Sequence, residues 1–588
     1  MFLHRLRPQK TLSGYTDLLG TYLRPQWRRT VFMALLLLTS IGLQLFNPQL
    51  LRSFIDTALS GGSYRTLLLL GVLFVGISLI NQVVSVGATY LSEQVAWTAT
   101  NWLRRDLVRH ALDLDMTFHQ AYTPGALIER IDGDTDTLAN FFSQTLVHLV
   151  GNLLLVVGIV VLFFQIDWRL GAAVVLFLVF GMSLLAGINT SAVPAWIAAR
   201  QKSADFFGFL GEYLEGTEEV RANGATQHVL SLFFAFLRTW LPISRKASIA
   251  GFSTYVASLT IFACGNALAL LFGAYFLSIH TITIGTVYLI FAYINLLTDP
   301  IEQIRTQLQD LQTAQAGIAR IQELRHLQPA IKDCLDGSIP SGALAVDFDH
   351  VTFGYQSDEA ILHDLTFHLA PGSVLGLLGR TGSGKTTISR LLVRFYEAQV
   401  GKIQLGGVPI QAAPLHKLRQ RVGMVTQEVQ LFRGTIRDNL TFFDRSIPDT
   451  QVIAVLHEIG LAQWYESLPQ GLDSPIGPGG EGVSAGEAQL LACVRVFLTN
   501  PGLVILDEAS SRLDLVTERI MEQAMKKLLQ GRTAILIMHR LSTIALADDI
   551  LILQDGRLVE HGSQKVLRAN PASQFMQLLT TGFKETNA

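Results

Sequence analysis

Residues 379–386 read Gly-Arg-Thr-Gly-Ser-Gly-Lys-Thr. The spacing G-x-x-x-x-G-K-[ST] is one that grips a polyphosphate. Gly379, Gly382 and Gly384, with Thr381 and Ser383 between them, let backbone N–H groups curl around phosphate oxygens with no Cβ in the way. Lys385 can reach β- and γ-phosphates, and the hydroxyl of Thr386, which Thr387 follows, can ligate Mg²⁺. The apolar run VLGLLG precedes this loop and KTTISRLLVRF follows it. A strand therefore feeds the loop, and a helix N-terminus behind it adds positive partial charge. Further along, LVILDEAS sets Asp507 and Glu508 at the end of a buried strand. Asp507 suits the holding of Mg²⁺ through water, and Glu508 suits polarisation of an attacking water.

Two halves of different character must position these groups. The chain has 588 residues, too many for one ordinary domain, with a mean hydropathy of +0.36. Charged residues make up 16 % and the net charge is −2, so no global basic field draws in nucleic acid. Cys264, Cys334 and Cys493 lie far apart, without metal-ligand spacing. Six apolar runs stand out: 31–50, 67–86, 146–164, 170–185, 255–277 and 283–297. Each approaches the roughly 20 residues that cross hydrocarbon as a helix. The first, which no secretory signal precedes, is expected to serve as an uncleaved anchor. The long gaps 87–145 and 186–254 keep helical periodicity and hold Arg104, Arg105, Arg109, Arg130, Arg200, Lys202, Arg221 and Arg238. The short gaps are poor in basic residues. Both termini and both long gaps are thus expected in the cytoplasm, with helices continuing out of the bilayer into water.

From about Ala345 short β-like runs alternate with helical ones, as in a soluble α/β domain with a mainly parallel sheet. The expected fold is multidomain: an all-α six-helix transmembrane domain over 1–322, a linker over 323–344, and an α/β P-loop NTPase domain over 345–588.

On these residues the chain resembles the ABC transporter family, of the exporter type that fuses a six-helix membrane domain to one nucleotide-binding domain. The resemblance runs over nearly the whole chain and implies ATP as the nucleotide. It implies that Tyr355 stacks on adenine, that Gln427 senses Mg²⁺ and the γ-phosphate, and that His539 contacts the γ-phosphate. It implies that SSRLD (Ser510–Asp514) crosses to a partner subunit. It also implies two cytoplasmic loops whose transverse helices touch nucleotide-binding domains, placed at Phe118–Thr123 and Phe207–Gly211.

One part departs from the pattern. The family's signature, L-S-G-G-Q, acts on the ATP held by the other subunit. Here it reads Val483, Ser484, Ala485, Gly486, Glu487. Ser484 and Gly486 retain a hydroxyl and a close backbone amide, whereas Glu487 brings an anion towards a polyphosphate. The following R-Q-R is Ala488, Gln489, Leu490, Pro478 replaces an acid, and Arg512 replaces a small residue. Only the part lent to a neighbour is altered, which favours a heterodimer with a second half-transporter over a homodimer.

The expected function is ATP-driven export of an amphiphilic or hydrophobic small molecule or lipid across the cell's inner membrane. An exporter-fold importer, a lipid flippase and an ATP-gated regulator are the alternatives. A non-transport P-loop ATPase is excluded by the six spans. Asn81, Gln82, Gln144, His148, Asn152, Asn266 and Asn295 are the polar residues that could line a path or join helices.

Overall fold

Long apolar runs satisfy their own backbone only as helices when water is absent. The computed structural model describes residues 20–141, 143, 146–334, 337–356, 359–507, 515–538 and 541–580. It divides into two compact units, Met1–Ala111 with Gly125–Leu327, and Leu112–Pro124 with Gln328–Ala588.

The first unit is built from α1 (Trp27–Leu59), α2 (Tyr64–Asp113), α3 (Leu146–Ile166), α4 (Trp168–Glu215), α5 (Thr226–Ser278), α6 (Ile284–Leu296) and α7 (Thr298–His326). Among the described residues six helices are long and apolar enough to cross a membrane, the last formed by α6 and the start of α7. With 50 residues α2 is about 75 Å long, against about 30 Å of hydrocarbon. The extension of α2, α4 and α5 far past a bilayer is thus built into single helices. Apolar side chains such as Leu68, Val83, Leu176, Phe180 and Leu259 point outward, as lipid-facing residues do.

Inside this unit Ile159, Phe163, Leu170, Ile290 and Tyr293 form a closed core. The Tyr293 hydroxyl donates to the Leu45 carbonyl at 2.7 Å and accepts from Gln49 at 3.2 Å, so a buried phenol ties α6 to α1. Asp56 on α1 caps α6, accepting from the Thr283 hydroxyl at 2.8 Å and the Gly285 N–H at 2.9 Å. A Cβ at Gly285 would lie 2.5 Å from the Arg52 carbonyl oxygen, which explains the glycine. Asn266 and Asn295 pair amide to amide across α5 and α6, and Asn81 accepts from Ser40, so these polar residues join helices.

In the helical extension Asp134 is buried and accepts two hydrogen bonds from the Arg320 guanidinium, one at 2.8 Å. That contact holds the Arg320 pKa above its usual value. Arg320→Ala leaves Asp134 buried without its cation. It is expected to cost about 2–3 kcal/mol, the low end for such a pair because the guanidinium is half exposed. A lowered melting temperature in detergent is the readout.

α7 runs to His326, so the first residues of the expected linker are helical. The loop after α2 contains the short helix Met116–Ala121, where one Asp115 oxygen accepts from Thr117 and Phe118 N–H, and the other from Ala330 N–H at 2.7 Å. It overlaps the first expected transverse helix, Phe118–Thr123, over Phe118–Ala121 and ends two residues earlier. The second is displaced: Phe207–Gly211 lies inside α4, and the separate short helix is Thr217–Ala222. The turn formers Gly216 and Gly224, rather than the phenylalanines, decide where the chain breaks.

The second unit carries twelve strands among its described residues: β1 (Val346–Phe353), β2 (Leu362–Leu369), β3 (Val374–Gly379), β4 (Val400–Leu405), β5 (Val408–Pro409), β6 (Val422–Val425), β7 (Gly434–Thr435), β8 (Pro475–Ile476), β9 (Leu503–Asp507), β10 (Thr533–Ile537), β11 (Asp549–Gln554) and β12 (Arg557–Ser563). A six-stranded sheet has the order β12-β11-β3-β10-β9-β6, parallel except for β12. An antiparallel sheet, β2-β1-β4-β5, packs with it through Phe348, Phe367, Leu375, Leu391 and Ile535. Fully buried β9 and β10 explain the continuous apolar runs LVIL and TAILI.

Candidate nucleotide site

Parallel register brings the chemistry to one edge. On β3, β10, β9 and β6, Leu377 pairs with Ile537, Ile537 with Asp507, and Leu506 with Val425. The loop after β3, Asp507, and the segment after β6 that contains Gln427 therefore leave the sheet at the same carboxyl end. Ligands of open α/β sheets bind in the crevice outside that end. Asp507 lies two strands from β3, roughly 10 Å across the sheet.

The loop itself is shaped for a polyphosphate. Gly379, Gly382 and Gly384 adopt φ of 151°, 83° and 101°. A Cβ at Gly379 would meet the Leu553 carbonyl oxygen at 2.4 Å and Ser383 Oγ at 2.6 Å. Ser383 is buried, and its Oγ has no hydrogen-bond partner. Lys385 is 6 % exposed, and its ammonium donates to the Gly379 and Arg380 carbonyls at 2.7 and 2.9 Å. The cation thus lies folded along the loop it opens. An orphaned hydroxyl, a cradle closed to a Cβ at Gly379 and a loop-bound lysine fit a triphosphate. Asp507, 5 % exposed, supplies an oxygen ligand of the kind Mg²⁺ takes, and Thr386 stands in the first turn of the helix Lys385–Leu392.

Tyr355 is brought to this helix. Its hydroxyl lies 3.3 Å from the Thr387 hydroxyl and accepts from Arg390 at 3.0 Å, and its ring meets Phe353 and Tyr396 edge-on. Burial raises the pKa of the neighbouring Tyr396. Gln427 is exposed two residues beyond β6. Glu508, Ser510–Asp514 and His539 lie outside the described residues. In the sequence Glu508 follows Asp507, the last residue of β9, and His539 comes two residues after the end of β10.

The segment Val483–Glu487, where the signature is expected, opens the helix Ala485–Thr499. Ser484 is its N-cap: its hydroxyl accepts from Glu487 N–H at 3.2 Å, while a Glu487 oxygen accepts from Ser484 N–H at 2.7 Å. Ser-x-x-Glu here makes a reciprocal capping box. The other Glu487 oxygen accepts from the indole N–H of Trp464, also at 2.7 Å. Both carboxylate oxygens are therefore held by donors, and the Ser484 hydroxyl keeps its own proton free to give. Gly486 is buried, whereas Ser484 is exposed. Ala488, Gln489 and Leu490, the residues expected at the R-Q-R of the family pattern, are buried.

Trp464 was invisible as a partner because it lies 23 residues upstream. Arg495 was also missed. It donates to the carbonyls of Asn439 and Gln430 at 2.6 and 3.1 Å and to Asn439 Oδ1 at 3.2 Å, and sits 4.6 Å from the Phe442 ring centre. Burial pulls its pKa down. A lone arginine within LLACVRVFL was the available signal. It ties the signature helix to the segment that carries Gln427. Arg495→Ala is expected to destabilise the unit by about 2–3 kcal/mol, read as a lower denaturant midpoint.

Known proteins agree with this geometry. A model of the ABC transporter transmembrane region matches residues 30–301, and one described as "ABC transporter" matches 362–511. An uncharacterised ABC transporter ATP-binding protein of Bacillus subtilis is 30 % identical over 93 % of this chain and 91 % of its own length. An ATP-dependent lipid A-core flippase of Legionella pneumophila is 29 % identical, covering 84 % of each chain. A multidrug resistance ABC transporter ATP-binding and permease protein of Lactococcus lactis is 27 % identical over 90 % of this chain and 89 % of its own. The solved structure of a bacterial Atm1-family ABC exporter with ATP bound superposes with a TM-score of 0.78 at 25 % identity, covering 97 % of this chain and all of that one. With its spans and its phosphate loop fused in one polypeptide, the chain belongs to the ABC transporter family, as a multi-pass membrane protein of the exporter type.

Proposed function

We propose that the chain is one half of a two-chain exporter that moves an amphiphilic or lipid-like molecule outward at the expense of ATP. The observation that carries this reading is the meeting of the phosphate loop and buried Asp507 at one sheet edge, in a chain with six spans. The nucleotide-binding unit and both termini face the cytoplasm, on the side of the arginine-rich gaps.

The residues divide the work. Backbone N–H groups from Gly379 to Gly384 hold the phosphates, and Lys385 leaves its loop carbonyls for the β- and γ-oxygens. Thr386 and Asp507 would hold Mg²⁺, with Gln427 beside them, and the ion would supply positive charge against the phosphates. Tyr355 offers a ring to the adenine. Glu508 polarises the attacking water and His539 donates to the γ-phosphate. Ser484 and Gly486 close on the nucleotide of the partner chain. Closure is passed on by Met116–Ala121, which groups with the nucleotide-binding unit, and by the loop around Thr217–Ala222.

A heterodimer fits best, because a fixed carboxylate at Glu487 alters only the surface lent to the partner. Lipid flipping is the second reading, favoured by the flippase relatives. Inside-out vesicles test the proposal. ATP-dependent uptake of a fluorescent amphiphile, absent with a non-hydrolysable nucleotide, is expected. Uptake that needs no ATP would reject export, and movement of a labelled lipid alone would select flipping.

A further inference from the structure

The helix that follows the phosphate loop, Lys385–Leu392, ends in a Schellman turn. Arg394 N–H donates to the Leu391 carbonyl and Phe395 N–H to the Arg390 carbonyl, both at 2.9 Å. Glycine is the common residue at this left-handed position. Here it is Arg394, at φ 55° and 2 % exposed. A side chain on such strained backbone persists when its surroundings hold it there. The Arg394 guanidinium donates twice to Glu397, at 2.6 and 3.0 Å, to the Ala413 carbonyl at 3.4 Å and to the Lys332 carbonyl at 3.0 Å.

Lys332 belongs to the expected linker, which is hooked at three of the four residues 330–333. Ala330 N–H donates to Asp115 at 2.7 Å, the Lys332 carbonyl accepts from Arg394, and the Asp333 carboxylate accepts from Leu415 N–H at 2.8 Å. A freely flexing tether makes no such fixed bonds. Asp115 in turn opens the short helix Met116–Ala121, two residues past the end of α2, and Ala330 stands four residues past the end of α7. Asp115 is also within electrostatic reach of the ring pair beside the phosphate-loop helix. Burial, then Tyr355 and Asp115, raise the Tyr396 pKa against the pull of Arg390. All these contacts lie within the second unit.

We propose that residues 330–333 form a strut, fastened by Arg394 at one end and Asp115 at the other, through which nucleotide at the phosphate loop steadies the short helix Met116–Ala121. This rests on the nucleotide reading above and adds a route that bypasses the segment of Gln427. Arg394 and Asp115 are positioning residues, acting through the strut rather than on the nucleotide. Each link is a hydrogen bond to one particular backbone group. A shift of the helix end at Arg394 therefore displaces Lys332, and with it Ala330 and the Asp115 that caps the short helix.

Asp115→Asn separates the strut from the cap. Asparagine caps a helix as well as aspartate does, so one oxygen still accepts from Thr117 and Phe118 N–H, while its NH₂ is turned on Ala330 N–H. Hydrogen exchange of the two-chain particle in nanodiscs, with and without Mg²⁺ and a non-hydrolysable ATP analogue, reads both ends. In the wild type nucleotide should slow exchange at 379–386 and, about tenfold, at 116–121. In Asp115→Asn the loop should respond as before and the short helix by less than about twofold. Arg394→Lys keeps a cation against Glu397 but loses the fork that also reaches Lys332. It should give the same split, and it replaces Asp115→Asn should that variant not assemble. The proposal is overturned if the short helix of either variant responds as the wild type's does. It is equally overturned if the wild-type loop responds without the short helix, or if both variants lose the loop's response as well, which would make the strut merely structural. A wild-type loop that does not respond would reject the nucleotide reading and the strut with it.

Discussion

Glu508→Gln is expected to cut ATP turnover of the two-chain particle at least a hundredfold while leaving ATP binding intact. Glutamine keeps the size of glutamate but cannot accept a proton from water, and a positioned general base contributes about 10²–10⁴ in rate. The proposed phosphate contacts, from the loop 379–386 and Lys385, are left untouched by this change. Lys385→Ala should show the opposite pattern and lose binding, because it removes the ammonium proposed to bridge loop and phosphates. In a heterodimer the loss at Glu508 is nearly complete, because the second site already faces the altered signature. Phosphate release and equilibrium nucleotide binding, measured on the same preparation, separate the two variants. Normal turnover in Glu508→Gln would reject the assignment.

Restoring the family's amide at position 487 is expected to fail on its own. Two donors converge on this side chain, Ser484 N–H and Trp464 Nε1–H, each at 2.7 Å. A carboxylate offers an oxygen to both, whereas glutamine offers one oxygen and turns an NH₂ on the other donor. Glu487→Gln should therefore destabilise the helix start by about 1–2 kcal/mol and leave turnover no better. Removing the indole donor as well, in Trp464→Phe with Glu487→Gln, should recover most of that stability. Both variants remove an anion from the surface proposed to meet the partner's nucleotide, so the double, with its helix start restored, should be the one that lowers the KM for ATP several-fold. A double-mutant cycle read by melting temperature and ATP titration yields the coupling. A coupling near zero would show that Trp464 and Glu487 are independent. The departure from L-S-G-G-Q is, on this reading, a matched pair rather than a lost residue.

Much of this was legible because it depends on local pattern. Six apolar runs, a glycine-rich turn between strand and helix, and two acids after LVIL each declare themselves within a few residues. What escaped depends on tertiary contact. Trp464 meets Glu487 only after the chain folds back, and Arg495 acts through carbonyls more than fifty residues away. The second transverse helix was misplaced because phenylalanines in DFFGFLGEYLEG suggest an element, while the break belongs to Gly216.

The central claim is that ATP held by the loop 379–386 is cleaved only when a second chain's signature helix faces it. Turnover per chain in nanodiscs loaded with one chain or with a two-chain particle tests this most directly. Single-chain discs should hydrolyse ATP at no more than about a hundredth of the rate of two-chain discs, for want of the facing donors. Equal turnover per chain in both would contradict the account.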